Sequence, residues 1–173
     1  MIHCLLMMML CFSCCKKDAD VNTTPQLPPE TQEGKNTFGC LVNGDVWLPQ
    51  VPPNASGVTK LNADYSNGQF FVAAYLKSSL KDESIAINVL SNMYSEGNYI
   101  LKDANNINKN ARGIFINLIN GCELETDSVN TGLLIIKRRD TVARIIAGTF
   151  NFSVTKEGCN SINIADGRFD IKY

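Results

Sequence analysis

Histidine is almost missing from this chain: His3 is the only one in 173 residues. Ser-His-Asp and Cys-His catalysis both need an imidazole to carry the proton. Structural and catalytic zinc sites draw heavily on the same side chain. Histidine-dependent catalysis and His-ligated metal sites are excluded from everything after residue 3. An excess of charge of either sign is missing as well. Sixteen Lys and Arg stand against 17 Asp and Glu, for a net charge of -1. A nucleic-acid surface needs a clustered positive excess. The one basic run, Lys137-Arg138-Arg139, closes an apolar stretch just before Asp140 and reads as a solvated strand end.

Long apolar runs are missing too. The longest, Ile2 to Phe12, has about eleven residues, whereas a bilayer-spanning helix takes roughly 20. A run of this length suits the apolar region of a secretory signal peptide. Ser13-Cys14-Cys15-Lys16-Lys17 follows it directly. A small residue before a cysteine at this point is where a lipoprotein signal is cut, and the thiol then carries the lipid. Cys14 is the expected acceptor because Ser13 fills the small position, with Cys15 as the alternative. The expected division is a signal peptide over 1–13, a lipidated cysteine and flexible tether over 14–35, and one domain over 36–173. The tether, ending KKDADVNTTPQLPPETQEGK, holds three prolines and few apolar residues, too few to bury a core. Its last twenty residues reach roughly 60 Å when extended.

No stretch carries apolar residues at helical spacing. Period-two alternation takes its place. Phe150, Phe152 and Val154 share one face, Phe169, Ile171 and Tyr173 another, and Ile85, Ile87 and Val89 a third. Asn43-Gly44 and Asn67-Gly68 each separate two such runs and predict tight hairpins, because both residues readily take positive φ. Further strands are expected over 111–119, 131–138 and 143–156. The reading is all-β: one antiparallel β-sandwich of about nine or ten strands, with a flattened barrel as the alternative.

Seven cysteines are present, four of them in the first 15 residues. Cys40, Cys122 and Cys159 lie in the domain of an exported chain, where a disulfide persists. One pair among the three is expected, and spacing does not say which. Glu123 and Glu125 would share a strand face roughly 6–7 Å apart, near the spacing of glycosidase carboxylates. No apolar surroundings raise one pKa, so a solvated pair is preferred. Asp103 to Asn110 departs from a calcium loop, which requires Gly at its sixth position; Asn108 stands there. Neither a metal nor a cofactor is expected. Trp47 is the candidate for stacking on a ligand, with Tyr65, Tyr94 and Tyr99 near turns; packing into the domain's own core is the preferred reading for Trp47.

Two segments carry a resemblance. Thr37 to Pro49, with its F-x-C-x-V-N-G-x-x-W pattern, and Thr131 to Tyr173, with G-T-F-x-F and D-G-R-F-D-I, resemble an uncharacterised family of small Bacteroidota lipoproteins. The resemblance implies an all-β fold and a place in the cell envelope, as an outer-membrane lipoprotein facing the periplasm or the exterior. It supplies no catalytic residue. Asp127-Ser128-Val129 and Asp140-Thr141-Val142 fit the short pattern at which such bacteria O-glycosylate exported proteins, making Ser128 and Thr141 candidate sites; ordinary turn chemistry explains both equally. The expected role is a non-catalytic binding module for a glycan or an envelope protein, with a structural or assembly subunit as the alternative and a carboxylate-dependent hydrolase behind both.

Overall fold

The structure, a computed structural model, describes residues 25–55, 57–102 and 111–173. The signal peptide, Cys14, Cys15 and the Asp103 to Asn110 loop lie outside the described residues. Eleven strands and no helix occur among those described. They are β1 (Thr37–Val42), β2 (Asp45–Trp47), β3 (Leu61–Ser66), β4 (Gln69–Lys77), β5 (Asp82–Val89), β6 (Gly97–Leu101), β7 (Ala111–Asn117), β8 (Cys122–Glu125), β9 (Gly132–Asp140), β10 (Ile145–Val154) and β11 (Ile162–Lys172). The all-β expectation holds, with one or two strands more than the alternation announced.

All eleven strands belong to one sheet. Its order is β2-β1-β11-β10-β9-β6-β7-β5-β4-β3, with β8 beside β7. Neighbours are antiparallel except β6 and β7, which share the single parallel pair Leu101↔Ala111. So thin a junction lets the sheet fold back on itself there, giving a sandwich-like body that is not closed into a barrel. Phe70 of β4 meets Phe169 of β11 across the interior with ring centroids 5.5 Å apart. Phe38, Phe150 and Phe152 extend the same core. Facing inner sides are what the period-two alternation requires, since each half has one apolar face to bury. On the far side Gln50, just past β2, brackets the part of β4 that β3 leaves unpaired. Its N–H donates to the Tyr75 carbonyl at 2.9 Å, and its carbonyl accepts from Lys77 N–H at 2.7 Å. That exposed edge is thereby covered.

Both Asn-Gly turns form as expected. Asn43 and Gly44 have φ of 52° and 91°, and Asn67 and Gly68 have 49° and 74°. These positive values suit the right-handed twist of the flanking strands.

The expected free tether over 14–35 is corrected at its domain end. Segment 28–35 lies against the outer face of β1, β11, β10 and β9. A Cβ on Gly39 would stand only 2.7 Å from Cδ of Pro28, so glycine permits the close approach. Lys137 pairs with Glu30, and Arg138 donates to the Gln32 carbonyl. The main anchor is Asp170. Its carboxylate accepts from the Thr31 hydroxyl at 2.6 Å and from the N–H groups of Glu33 at 2.9 Å, Gly34 at 2.7 Å and Lys35 at 3.2 Å. Composition correctly gave this segment no strand of its own. It did not show that four donors would converge on a carboxylate far along the chain. Asp170 is consequently 1% exposed although alternation places it on the outer face.

Burial alone would raise the Asp170 pKa. The Thr31 hydroxyl and the three amides outweigh it and hold the carboxyl below its ordinary value. A depressed folded-state pKa gives stability that is complete above the unfolded value, near 3.9, and is lost as pH falls through the folded value. Asp170→Asn keeps one acceptor but turns an N–H₂ toward donors. It should cost about 2–3 kcal/mol at pH 7. Chemical denaturation of both proteins from pH 7 to pH 2 is the check. The gap should shrink below roughly pH 4; a gap that is independent of pH would contradict the anchor.

A candidate recognition cleft

Four connections meet at one end of the sandwich: Asn43-Gly44 between β1 and β2, residues 78–81 between β4 and β5, residues 118–121 between β7 and β8, and residues 155–161 between β10 and β11. Register forces this meeting. Lys77 pairs with Asp82, Glu83 with Asn117, and Val42 with Ile164, so these strand ends lie level. Between them is a cleft of about 250 Å³.

Its floor is apolar, made by Val46, Phe115, Leu124 and Ile162. Its walls carry Asp45, Lys81, Glu83, Asn117, Asn120 and Asn160. Glu83 stands at the centre. One carboxylate oxygen accepts from Trp47 Nε1 at 2.9 Å and the other from Asn117 Nδ2 at 3.5 Å. Asn117 is itself fixed, because its Oδ1 accepts from the N–H groups of Ile119 and Asn120 and so shapes the β7–β8 turn. The Asn120 Oδ1 accepts from Cys122 N–H, leaving its N–H₂ free among the described residues. No described partner binds the side chains of Asp45, Lys81 or Asn160.

The cleft is braced by a disulfide between Cys122 at the start of β8 and Cys159 in the β10–β11 connection, joining the two halves of the sheet. Cys40 is the unpaired member of the three. It is buried in the core, which pushes its thiol pKa up to about 12. The predominantly neutral thiol is a poor nucleophile. Around the rim, aliphatic side chains face water: Leu80 is 85% exposed, Leu118 66% and Ile119 63%. The Leu118 N–H donates to the Asp82 carbonyl, which holds the two turns together.

The remaining candidates fall elsewhere. Trp47 is only 1% exposed: it packs into the domain's own core, as preferred, and its face does not stack on a ligand. The ring packs edge-on to Phe38 in the core and offers only its N–H, already given to Glu83. Tyr65, Tyr94 and Tyr99 do not join it. Tyr65 is at the opposite end, taking two bonds from Arg139 and giving one to the Met93 carbonyl. Tyr94 covers the Asn67-Gly68 turn, and Tyr99 is buried with its hydroxyl on Ser95. Glu123 and Glu125 share the exposed face of β8, with Glu125 paired to Arg112 at 3.1 Å. Both glutamates are exposed to solvent. Ser128 and Thr141 are exposed, each just after an aspartate whose Oδ1 accepts two backbone N–H groups. Sequence reasoning named Trp47 but missed Glu83, Asn117, Asn120 and Asn160. These polar residues lie near turns and carry no local mark of meeting.

No family model, curated protein or solved structure matches this chain.

Proposed function

We propose that this chain is a lipid-anchored protein of the bacterial cell envelope whose domain is a non-catalytic binding module, with the end cleft as its recognition site. The observation that carries the binding part is the cleft itself. Converging hydrogen-bonding groups over an apolar floor are how small polar ligands are held. The carboxylate pair singled out from the sequence, Glu123 and Glu125, lies outside the cleft on the exposed face of β8 and lends a hydrolase no support. The anchoring part rests on the apolar run ending at Ser13-Cys14.

Docking of segment 28–35 changes the expected reach. With lipid on Cys14, thirteen residues separate it from Pro28. They span at most about 45 Å, shorter than a tether free to residue 35. A second reading, a subunit of an envelope complex, is favoured by one observation: the exposed Leu80, Leu118 and Ile119 around the rim suit an apolar partner surface.

Anchoring is tested by fractionation of cells making the full chain. The wild type should sediment with membranes and carry a diacylated N-terminal cysteine by intact mass. Cys14→Ala alone leaves Cys15 as a substitute acceptor, so the double substitution is the informative one and should move the protein to the soluble fraction. A wild-type protein that is itself soluble and unmodified ends this reading.

A further inference from the structure

We infer that the cleft holds one ring of a neutral, hydroxyl-rich ligand, a single sugar unit of a glycan. The inference rests on the binding reading above and specifies its ligand. Three properties of the cleft converge on that class. Its 250 Å³ lies just below the usual range of pockets for drug-sized ligands, roughly 300–1,000 Å³, and matches one ring rather than a folded peptide segment. Its free groups have mixed character. Asp45 and Glu83 offer lone pairs, Lys81 offers only N–H donors, and the amides of Asn120 and Asn160 offer N–H₂ groups. Two carboxylates repel an anion, and the ammonium repels a cation. A hydroxyl donates to the first and accepts from the second, so vicinal hydroxyls satisfy both kinds at once. The floor of Val46, Phe115, Leu124 and Ile162 presents apolar surface to the C–H face of such a ring.

Glu83 is the fixed acceptor. The Trp47 indole and Asn117 each use one lone pair of its carboxylate, and the remaining lone pairs are available to ligand hydroxyls. Trp47 is a positioning residue here. Its buried N–H holds Glu83 at the cleft and does not touch the sugar. Lys81 and Asn120 donate from the β4–β5 and β7–β8 turns. The Cys122–Cys159 disulfide keeps the Asn160 side of the cleft at a set distance from the Asn120 side.

Trp47 is the only tryptophan, so the chain has a single indole N–H signal in a nitrogen-15 spectrum, reporting directly on Glu83. The experiment titrates the full chain separately with glucose, galactose, mannose, xylose and N-acetylglucosamine, using glycerol and sodium acetate as controls. At least one sugar should shift the Trp47 indole signal and the Asn120 and Asn160 side-chain amides saturably, with millimolar affinity. Lys81→Ala and Asp45→Ala, both at exposed positions, should weaken that sugar several-fold. Glu83→Gln should weaken it by about tenfold or more, the loss expected for a charge-assisted hydrogen bond. Undisturbed signals with every sugar overturn the inference, as does acetate producing the same shifts, which marks an anion site on Lys81. Unchanged affinity in all three variants also overturns it. A chain that sediments with membranes yet ignores every sugar loses this ligand while keeping its anchor, so the two failures are distinguishable.

Discussion

A chain ending after Gly167 is expected to show no cooperative unfolding transition. The deletion removes Arg168 to Tyr173, the second half of β11. Alternation alone marks this stretch as a closing strand, and a closing strand suggests an edge. In the fold β11 lies inside the sheet, paired with β1 on one side and β10 on the other. Loss of Arg168 to Lys172 unpairs Ile145 to Thr149 of β10 and Thr37 to Gly39 of β1 together. Phe169 and Ile171 also leave the core, where they are 3% and 1% exposed. Large-to-small substitutions at two such positions cost about 5–10 kcal/mol together, a sum comparable with the whole stability of a typical domain, about 5–15 kcal/mol. Asp170 departs as well and frees segment 28–35. Thermal denaturation followed by far-ultraviolet circular dichroism should show a shallow drift, with aggregation. A sigmoidal melt within a few degrees of the parent would show that this half-strand is dispensable. Phe169→Ala in the full chain is the graded companion. It should stay folded but lose about 3–5 kcal/mol.

What was legible in the sequence was local. Alternation in Phe150 to Val154 and in Ile85 to Val89 reports the buried face of β10 and β5, because side chains two apart share a side whatever the neighbouring strand is. Asn-Gly dipeptides likewise carry their turn geometry within two residues. Strands whose pairing is not sequential left weaker marks. Gly97–Leu101 is short, has three of its five residues exposed, and pairs with β9 across thirty intervening residues. Asp170 shows how alternation misleads. Its place on the outer face is right, yet it is buried because a distant segment crosses over it. The candidate site was harder still. Glu83 sits at the start of one strand and Asn117 at the end of another, ordinary positions for polar residues. Only the register of β5 on β7 brings them level. Trp47 fills the core, as a large apolar ring favours, and only its N–H reaches the cleft.

Reduction of the Cys122–Cys159 bond is expected to lower stability by about 4 kcal/mol. The bond links residues 37 apart in sequence, and closing a loop of that size in the unfolded chain removes entropy of this order. Its position adds a local consequence. Cys122 opens β8, whose one strand partner among the described residues is β7. Cys159 belongs to the β10–β11 connection, where its N–H reaches only the Lys156 carbonyl. Without the bond these elements keep their own hydrogen bonds but lose the covalent tie across the cleft. Loosening should therefore be greatest at the cleft and small at the distant Tyr65–Tyr173 contact. Urea denaturation of Cys122→Ser/Cys159→Ser, with and without reductant, measures the global term; amide exchange at Cys122 to Thr126 and at Glu157 to Ser161 measures the local one. Cys40 supplies an internal control. Buried, with its thiol pKa near 12, it should resist alkylation in the native double variant and react only on unfolding. Wild type whose denaturation midpoint is unchanged by reductant would mean that the bond stabilises nothing. Rapid native alkylation of Cys40 in the double variant would instead show that the bond is needed to keep the core closed.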